Sequence, residues 1–343
     1  MNAPRLDGDD PDWSTPGIYE VAAGVYRIPL PLPGDGLRAV NVYAVTDGRE
    51  LVLIDSGWAL PESRRLLAGA LDVIGAKLDD VREFLITHIH RDHYTQALAL
   101  RREFGGKVSL GSGEEPSLRI VADPATDPIR TQLDLLRLGG GAELIPEVRA
   151  VLADEDAELW ERPDEWLTPG RRRVLPDREF DVVATPGHTE GHVVFVDPAA
   201  GLLFSGDHVL PHITPSIGFQ AAPPDLPLGA YLDSLRLVRA LPDRRLLPAH
   251  GPVTASVHAR IDELLDHHRA RLDLLLDQVE SGAATAFEAA TRISWTRRAR
   301  HLATMDPFNR MLAVLETGAH LDLLTAQGHL AAVEVDGVRH YRP

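Results

Sequence analysis

The chain has 343 residues, 35 Lys and Arg against 51 Asp and Glu, and no cysteine. This length fits two domains or one large domain with an appendage, and a hydrophobic fraction of 44% is enough for a substantial core. The lack of cysteine excludes a disulfide framework, a thiolate metal site and a thiol nucleophile, and the net charge of −16 argues against a protein built mainly to hold nucleic acid or an anionic membrane surface.

The first elements alternate between strands and helices. Residues 1–16 are acidic and rich in Pro and Gly, so we expect a flexible lead-in and not a signal peptide. Asp47-Gly48 predicts a hairpin turn within the β pattern of residues 18–56. Further elements are predicted in chain order: a helix over 61–78, a strand over 81–87, a helix over 95–104 and a strand over 107–110. This alternation is typical of α/β layering.

Residues 111–170 interrupt the alternation of strands and helices, because their pattern is mostly helical and becomes acidic towards its end. It is too long for a plain loop, so we interpret it as a helical insertion, either a lid over an apolar acyl group or a flap packed on the sheets or on a partner chain. The remaining predicted elements are strands over 171–175, 180–185, 192–197, 201–205 and 246–249, a loop over 211–228, and helices over 231–241 and 252–280. His258, His267 and His268 on the last helix are expected to face solvent.

Apolar runs are far shorter than the ~20 residues that span a bilayer, so we expect a cytoplasmic protein without membrane contact. We expect three parts in the chain: the lead-in over residues 1–16, a catalytic domain over 17–255 and a C-terminal region over 256–343.

Histidines concentrate directly after the strand predicted over 81–87. His88, His90, Asp92 and His93 stand within six residues, and side chains alternate in direction at a strand end. His88 and His90 can therefore face one ion, while the following turn directs Asp92 and His93 to a second point. Imidazole and carboxylate suit zinc, and they also suit iron and manganese.

Three more candidate ligands follow strands. His188, Asp207 and His250 each stand at the end of a predicted strand and beside a glycine that lets the backbone turn sharply. A single histidine in such a place is most often structural. The joint occurrence of the cluster and these three residues predicts a metal site.

The seven residues together resemble the ligand set of metallo-β-lactamase-fold hydrolases. The resemblance covers about residues 18–251 and implies an αββα sandwich, two face-to-face sheets with helices outside. It also implies that His88, His90 and His188 hold one divalent ion, that Asp92, His93 and His250 hold another, and that Asp207 bridges them. Zinc is the expected metal, with iron or manganese as alternatives. A metal-bridging hydroxide would attack the substrate, oriented by the second oxygen of Asp92.

Other residues are weaker candidates. Asp55 resembles the superfamily's aspartate behind the ligands, or caps a turn. Tyr94 follows the cluster where the family usually has a small pair; it either donates to a substrate oxygen or packs over the helix start. His208 and His212 follow Asp207 and are candidates to line the pocket, or lie outside it.

Two features of the candidate ligand set indicate which branch of the superfamily the chain resembles. One group of β-lactamases uses a cysteine ligand, which this chain lacks, and another usually lacks an aspartate at the position of Asp207. The set is more similar to hydroxyacylglutathione hydrolases, lactonases and RNA-processing relatives. Helices and a hairpin predicted over residues 306–341 give the tail, about residues 284–343, a resemblance to the winged-helix appendage of lactamase-like protein 2 and related bacterial hydrolases. Residues 252–343 hold 10 Lys and Arg against 12 Asp and Glu. This segment therefore lacks the excess of basic residues that is typical of a nucleic-acid-binding domain.

Three functions remain open. The favoured one is a dinuclear hydrolase of a small ester, thioester or lactone, because an acidic chain suits an acyl substrate better than RNA. The second is a phosphodiesterase or endoribonuclease acting on single-stranded RNA with the same metals, and the third is a non-catalytic binding protein of the same fold. A homodimer through the tail or the insertion is a further expectation.

Overall fold

Two β-sheets stacked face to face form the centre of the molecule. The structure is a computed structural model and describes residues 3–8, 12–34, 36–152, 160–295 and 300–343. The first sheet has the order β1 to β8, with strands Arg5–Leu6, Tyr19–Ala22, Val25–Pro31, Ala39–Thr46, Leu51–Ile54, Val81–Ile86, Lys107–Gly111 and Glu165–Leu167. The second has the order β13-β12-β11-β10-β9, with β9 to β13 being Gly170–Leu175, Arg178–Ala184, Val193–Asp197, Leu202–Gly206 and Arg245–Pro248.

The strands are apolar on both faces because each sheet is covered on both sides. In β4, Tyr43 and Val45 point between the sheets, and Val40 and Val42 point to the opposite face. The core between the sheets draws on both of them, with Val25, Tyr43, Val52 and Leu85 from the first and Val174, Phe180, Phe195, Phe204 and Leu247 from the second.

Helices cover the two outer faces. On the first sheet, α1 (Pro61–Val73) and α2 (Arg91–Phe104) bury residues such as Leu67 and Leu98. On the second, α6 (Pro227–Arg239) and α7 (Val257–Glu280) bury residues such as Leu235 and Ile261. The predicted αββα sandwich is therefore confirmed.

A fourth core joins the predicted insertion to the C-terminal region. The insertion contains α3 (Glu115–Val121), α4 (Arg130–Leu138) and α5 (Ile145–Leu152), and the C-terminal region contains α8 (Ala286–Arg292) and α9 (Pro307–Ala326). Leu133 of α4 and Val148 of α5 are fully buried in one cluster with Ala289 of α8 and Met311 of α9. The acidic residues 154–156 and 158 lie outside the described part of the chain.

The chain ends in a hairpin, as its sequence predicts. Strands β16 (Ala331–Val335) and β17 (Val338–Arg342) pair antiparallel around Asp336-Gly337. A short pair, β14 (Ser294–Trp295) and β15 (Arg300–His301), precedes α9. The resemblance of the C-terminal region to a winged helix stays a prediction, as do the domain boundaries.

Several boundaries differ from the sequence prediction. Helix α1 ends at Val73, five residues early, and Gly75 follows it with a positive φ of 74°. Helix α2 begins at Arg91, four residues early, so Asp92 and His93 lie in its first turn. Helix α7 begins at Val257, where the Ser256 hydroxyl accepts a hydrogen bond from the amide of Ala259.

Two details differ from what the sequence suggests. Within the lead-in, Arg5–Leu6 is a strand that pairs in parallel with Tyr19 and Glu20. His268 is fully buried, because its ring packs against His320 of α9. Of the helices that the structure describes, none combines the length and apolar character needed to cross a bilayer.

Candidate metal centre

The seven candidate ligands meet at one edge of the sandwich. Strands β10, β12 and β13 run in the same direction, and His188, Asp207 and His250 follow their carboxyl ends. His88 and His90 follow β6 of the facing sheet, and α2 begins directly after them. The fold thus gathers side chains that are up to 162 positions apart in the sequence.

The first donor group contains three histidines. Nε2 of His88 lies 2.9 Å from Nδ1 of His90, and Nε2 of His188 lies 3.1 Å from the same atom. The outer nitrogens of two rings face backbone carbonyls, which only accept: Nδ1 of His188 donates to Ser216 over 2.7 Å and Nε2 of His90 donates to Phe219 over 3.3 Å. This fixes the tautomers so that the inward nitrogens carry lone pairs.

The second donor group contains Asp92, His93 and His250. Oδ2 of Asp92 lies 3.5 Å from Nε2 of His93 and 3.4 Å from Nε2 of His250. Nδ1 of His93 donates to Oδ2 of Asp55 over 2.9 Å, and Nδ1 of His250 donates to the carbonyl of Ala39 over 2.7 Å. Both histidines therefore present an unprotonated Nε2 to the group when they are neutral.

Asp207 lies between the groups and faces each with a different oxygen. Its Oδ2 is 3.5 Å from Nε2 of His188, while its Oδ1 is 3.3 Å from Nε2 of His250 and 3.6 Å from Nε2 of His93. The preceding Gly206 has a φ of 50°, and a Cβ there would lie 2.6 Å from Oγ1 of Thr87. Glycine is needed to bring this carboxylate so close to the end of β6.

The donors fit divalent metal ions. Three buried atoms of the candidate ligands have no hydrogen-bond partner among the described residues, namely Nε2 of His93, Nε2 of His250 and Oδ1 of Asp207. Such atoms are costly unless a further group satisfies them. Ligand atoms of a tetrahedral zinc site stand about 3.4 Å apart, given metal–ligand distances of about 2.1 Å. The contacts of 3.3 to 3.6 Å around Asp207 match that spacing.

The electrostatics of the two groups differ. Burial and the neighbouring His188 lower the pKa of His90 to about 3, and burial with His93 lowers the pKa of His88 well below its usual value. Burial acts in the same direction on His93, but the carboxylates of Asp92, Asp55 and Asp207 outweigh it and raise its pKa to about 10. The first group thus offers neutral imidazoles, and the second gathers negative charge that attracts a cation.

The weaker candidates from the sequence lie around the donor groups in different environments. Asp55 is buried with a φ of 58° and also accepts hydrogen bonds from the amide and hydroxyl of Thr87, so it joins His93 to the end of β6. The Tyr94 ring packs against Trp160 and its hydroxyl donates to the carbonyl of Glu161, the contacts of a packing residue. His208 is buried against Tyr231, and His212 is exposed.

The sequence did not point to His192, which supports two candidate ligands. Its ring stacks on His88 at 5.0 Å, and its Nε2 accepts the backbone N–H of Asp207 at 3.2 Å. Nδ1 therefore carries the proton and donates to Oγ1 of Thr185 over 2.8 Å. The only available signal was its spacing of four residues from His188, which the β pattern masked.

This fold and its clustered histidines and aspartates are those of a hydrolase superfamily with a possible metal site. Residues 35–250 match the sequence profile of the metallo-beta-lactamase superfamily, and the chain belongs to that superfamily. Across the described ranges, the donor groups that the fold assembles are a possible His/Asp metal site.

Relatives agree with this family. "Probable metallo-hydrolase YqjP" of Bacillus subtilis is 26% identical over 88% of this chain and 91% of its own length. "Lactamase-like protein nscB" of Arthroderma gypseum is 28% identical over 76% of this chain but 66% of its own length.

Two crystal structures share almost the whole fold. The metallo-beta-lactamase family protein TTHA1429 from Thermus thermophilus has a TM-score of 0.73 and 26% identity, covering 94% of this chain and 99% of that one. A beta-lactamase domain protein from Burkholderia ambifaria has a TM-score of 0.74 and 26% identity, covering 98% of both chains. The similarity therefore includes the C-terminal region.

Proposed function

We propose that the protein is a dinuclear metallohydrolase that cleaves a small ester, thioester or lactone. The observation that carries the proposal is the position of Asp207, whose two carboxylate oxygens face two separate donor groups. A carboxylate so placed suits a bridge between two ions. His88, His90 and His188 would hold one ion and Asp92, His93 and His250 the other.

Bound there, a pair of zinc ions, or of iron or manganese, would make water nucleophilic at neutral pH and polarise the substrate's carbonyl oxygen. Asp92 is partly exposed, unlike His93 beside it, so its carboxylate is placed to contact solvent as well as the donor group. One oxygen of Asp92 would be a ligand, and the other would accept a hydrogen bond from the attacking water and orient it. Asp55, His192 and backbone carbonyls would keep the ligand rings in place.

An acyl substrate is favoured by what surrounds the donor groups. The Phe219 ring lies 5.9 Å from His90, and Phe308 of α9 meets that ring edge-on at 5.3 Å. These partly buried rings form an apolar wall beside the first group. A chain with a net charge of −16 would also repel a polyanion such as RNA. Both features suit the acyl-hydrolysing branch that the ligand set resembles.

A substrate panel tests the proposal. Purified protein loaded with Zn²⁺ is assayed on thioesters, aryl esters and lactones, and on single-stranded RNA, with Asp92→Asn as a variant that keeps the side chain's shape. We expect acyl hydrolysis by the wild type and a fall of about 100-fold or more in kcat for the variant, the range for general base groups. RNA cleavage without acyl hydrolysis would show that the protein is a nuclease and not an acyl hydrolase. Equal rates for the wild type and Asp92→Asn would refute the role of Asp92.

A further inference from the structure

Glu114 is a buried carboxyl that belongs to neither donor group. It ends the short 3-10 turn Ser112–Glu114 after β7 and has no exposed surface. Its Oε1 accepts the backbone N–H of Ile89 over 3.3 Å and the hydroxyl of Thr189. Ile89 stands between His88 and His90, and Thr189 directly follows His188. One oxygen atom therefore contacts both loops that carry the first donor group.

Those two loops come from different sheets. The loop with His88 and His90 follows β6 of the first sheet, and the loop with His188 follows β10 of the second. The pairing of strands within each sheet does not set the distance between the two loops. One backbone hydrogen bond, from the N–H of Val193 in β11 to the carbonyl of Thr87 over 2.9 Å, joins the loops only at their base. A side chain that accepts a hydrogen bond from each loop fixes this distance directly.

The backbone around Glu114 is packed for this contact. A Cβ on Gly191 would lie 2.1 Å from the amide nitrogen of Glu114, and a Cβ on Gly111 would lie 1.9 Å from the carbonyl oxygen of Gly191. Glycine at both positions lets the turn and the His188 loop touch backbone to backbone. Glu114 cannot withdraw from the His188 loop without moving that loop.

We propose that Glu114 is a positioning residue that holds His88, His90 and His188 at the spacing required by one metal ion. The inference rests on the dinuclear centre of the proposed function. Within the described part of the chain, the side-chain hydrogen bonds of Glu114 go to Ile89 and Thr189, and each of these adjoins a histidine of the first donor group. In the other donor group, His93 donates to Asp55 and His250 donates to the carbonyl of Ala39, so the effect is specific to one ion.

A purely space-filling role makes the opposite prediction. Oε2 of Glu114 is buried without a hydrogen-bond partner among the residues described, and this costs folding free energy. Burial accordingly raises the pKa of Glu114 to about 7, although the hydrogen bonds from Thr189 and Ile89 oppose the shift. If only packing mattered, leucine at this position would stabilise the fold and leave metal binding intact.

Competition titrations with a chromophoric zinc chelator separate these roles. The metal-free chain is titrated with Zn²⁺ alone, as wild type, Glu114→Leu and Glu114→Gln, with unfolding monitored in parallel. In Glu114→Leu we expect one of the two ions to bind about 10- to 100-fold more weakly, the range for lost second-shell partners, and the other to bind within about 2-fold of wild type. Glu114→Gln keeps a carbonyl oxygen that accepts both hydrogen bonds, so it should restore the lost affinity to within about 3-fold.

Two further variants complete the design. Glu83→Leu is the matched control, because Glu83 is also a buried glutamate, bonded to Ser109 and Arg172 near the start of β6. It should lower stability and leave both zinc affinities unchanged. Thr189→Val replaces the hydroxyl by a methyl group of similar size and should weaken the same ion as Glu114→Leu by about 10-fold. This variant tests the proposal even if Glu114→Leu does not fold.

The outcomes distinguish this inference from the proposed function. A wild-type chain that binds no zinc overturns the dinuclear centre itself. Two tightly bound ions in the wild type, together with unchanged titrations for Glu114→Leu and Thr189→Val, overturn the positioning role alone. An equal loss of both ions in Glu114→Leu, or a failure of Glu114→Gln to restore binding, also contradicts it.

Discussion

Nδ1 of His93 donates a hydrogen bond to Oδ2 of Asp55 over 2.9 Å, and this contact determines which nitrogen of His93 faces the donor group. The other oxygen of Asp55 accepts the backbone N–H of Thr87 over 2.8 Å. Both side chains are buried, so the carboxylate has little freedom to turn. Asp55 thereby sets the tautomer of His93 and anchors it to the end of β6.

Asp55→Asn should weaken the ion held by Asp92, His93 and His250. The amide nitrogen would face Nδ1 of His93 as a second donor, so the ring is driven to the tautomer with a proton on Nε2, which blocks the lone pair needed for metal. We expect the affinity for one of two zinc ions to fall about 10- to 100-fold in the competition titration.

The control for this variant is Asp197→Asn. Asp197, the last residue of β11, is equally buried but pairs with Arg178 of β10. This substitution should lower stability and leave both zinc affinities unchanged. A titration of Asp55→Asn that superimposes on the wild type would show that His93 does not depend on Asp55.

Removing one histidine from each donor group should remove one ion each. His188→Ala and His250→Ala are each expected to retain about one zinc per chain after dialysis, against about two in the wild type, because each site needs at least three protein ligands. Elemental analysis of the dialysed proteins measures this. His212→Ala, at an exposed position, should retain both ions. Loss of both ions in either single variant would mean that the two groups form one indivisible site.

Much of the site was predictable because its signals are local. His188, Asp207 and His250 each follow a strand with clear apolar patterning, and strand ends of one direction meet at one edge of a sheet. The hairpin between β4 and β5 is predictable for the same reason, since Asp47 lies in its loop and accepts the amides of Arg49 and Glu50.

The missed features depend on partners far away in the sequence. His268 continues the buried face of α7 that Ile261 and Leu264 begin, but it is polar, and the His320 that partners it lies 52 positions later. Glu114 looks like one more acidic residue in an acidic chain, and its role depends on Ile89 and Thr189 in separate loops. Helix α2 was predicted to begin late because polar His, Arg and Asp residues interrupt the apolar pattern in its first turn.

Asp7→Ala should destabilise the fold although Asp7 lies near the N-terminus. The guanidinium of Arg27 is 2% exposed, donates to Asp7 over 2.8 Å and also donates to Asn41 over 3.1 Å. Removing Asp7 leaves a buried cation without its counter-charge, which costs on the order of 3 kcal/mol. The midpoint and slope of urea denaturation measure this loss.

A surface ion pair provides the comparison for Asp7. Glu103 pairs with Arg64 where both side chains are more than two-fifths exposed to solvent. Glu103→Ala should therefore give a urea midpoint indistinguishable from that of the wild type. Equal midpoints for Asp7→Ala and Glu103→Ala would show that the Asp7–Arg27 pair does not contribute to stability.

The buried His268–His320 pair should make the fold sensitive to mild acid. Nδ1 of His320 donates to the carbonyl of Glu316 over 2.7 Å, so its Nε2 accepts from Nδ1 of His268 over 3.1 Å and both rings are neutral. Burial lowers the pKa of His268 to about 2, with His320 adding to the shift, and burial lowers the pKa of His320 to about 3. In the unfolded chain both would titrate near 6.5.

Because the unfolded chain binds more protons below that value, the free energy of unfolding should fall as the pH drops below about 6.5, by about 1.4 kcal/mol per pH unit for each histidine. His320→Gln removes one of these groups, so its loss of stability between about pH 6.5 and pH 5 should be smaller than that of the wild type by about 2 kcal/mol. Urea denaturation at each pH measures the difference. His301→Gln, at an exposed position on β15, should follow the wild-type pH dependence. If His320→Gln follows it too, the His268–His320 pair is not the source of the acid sensitivity.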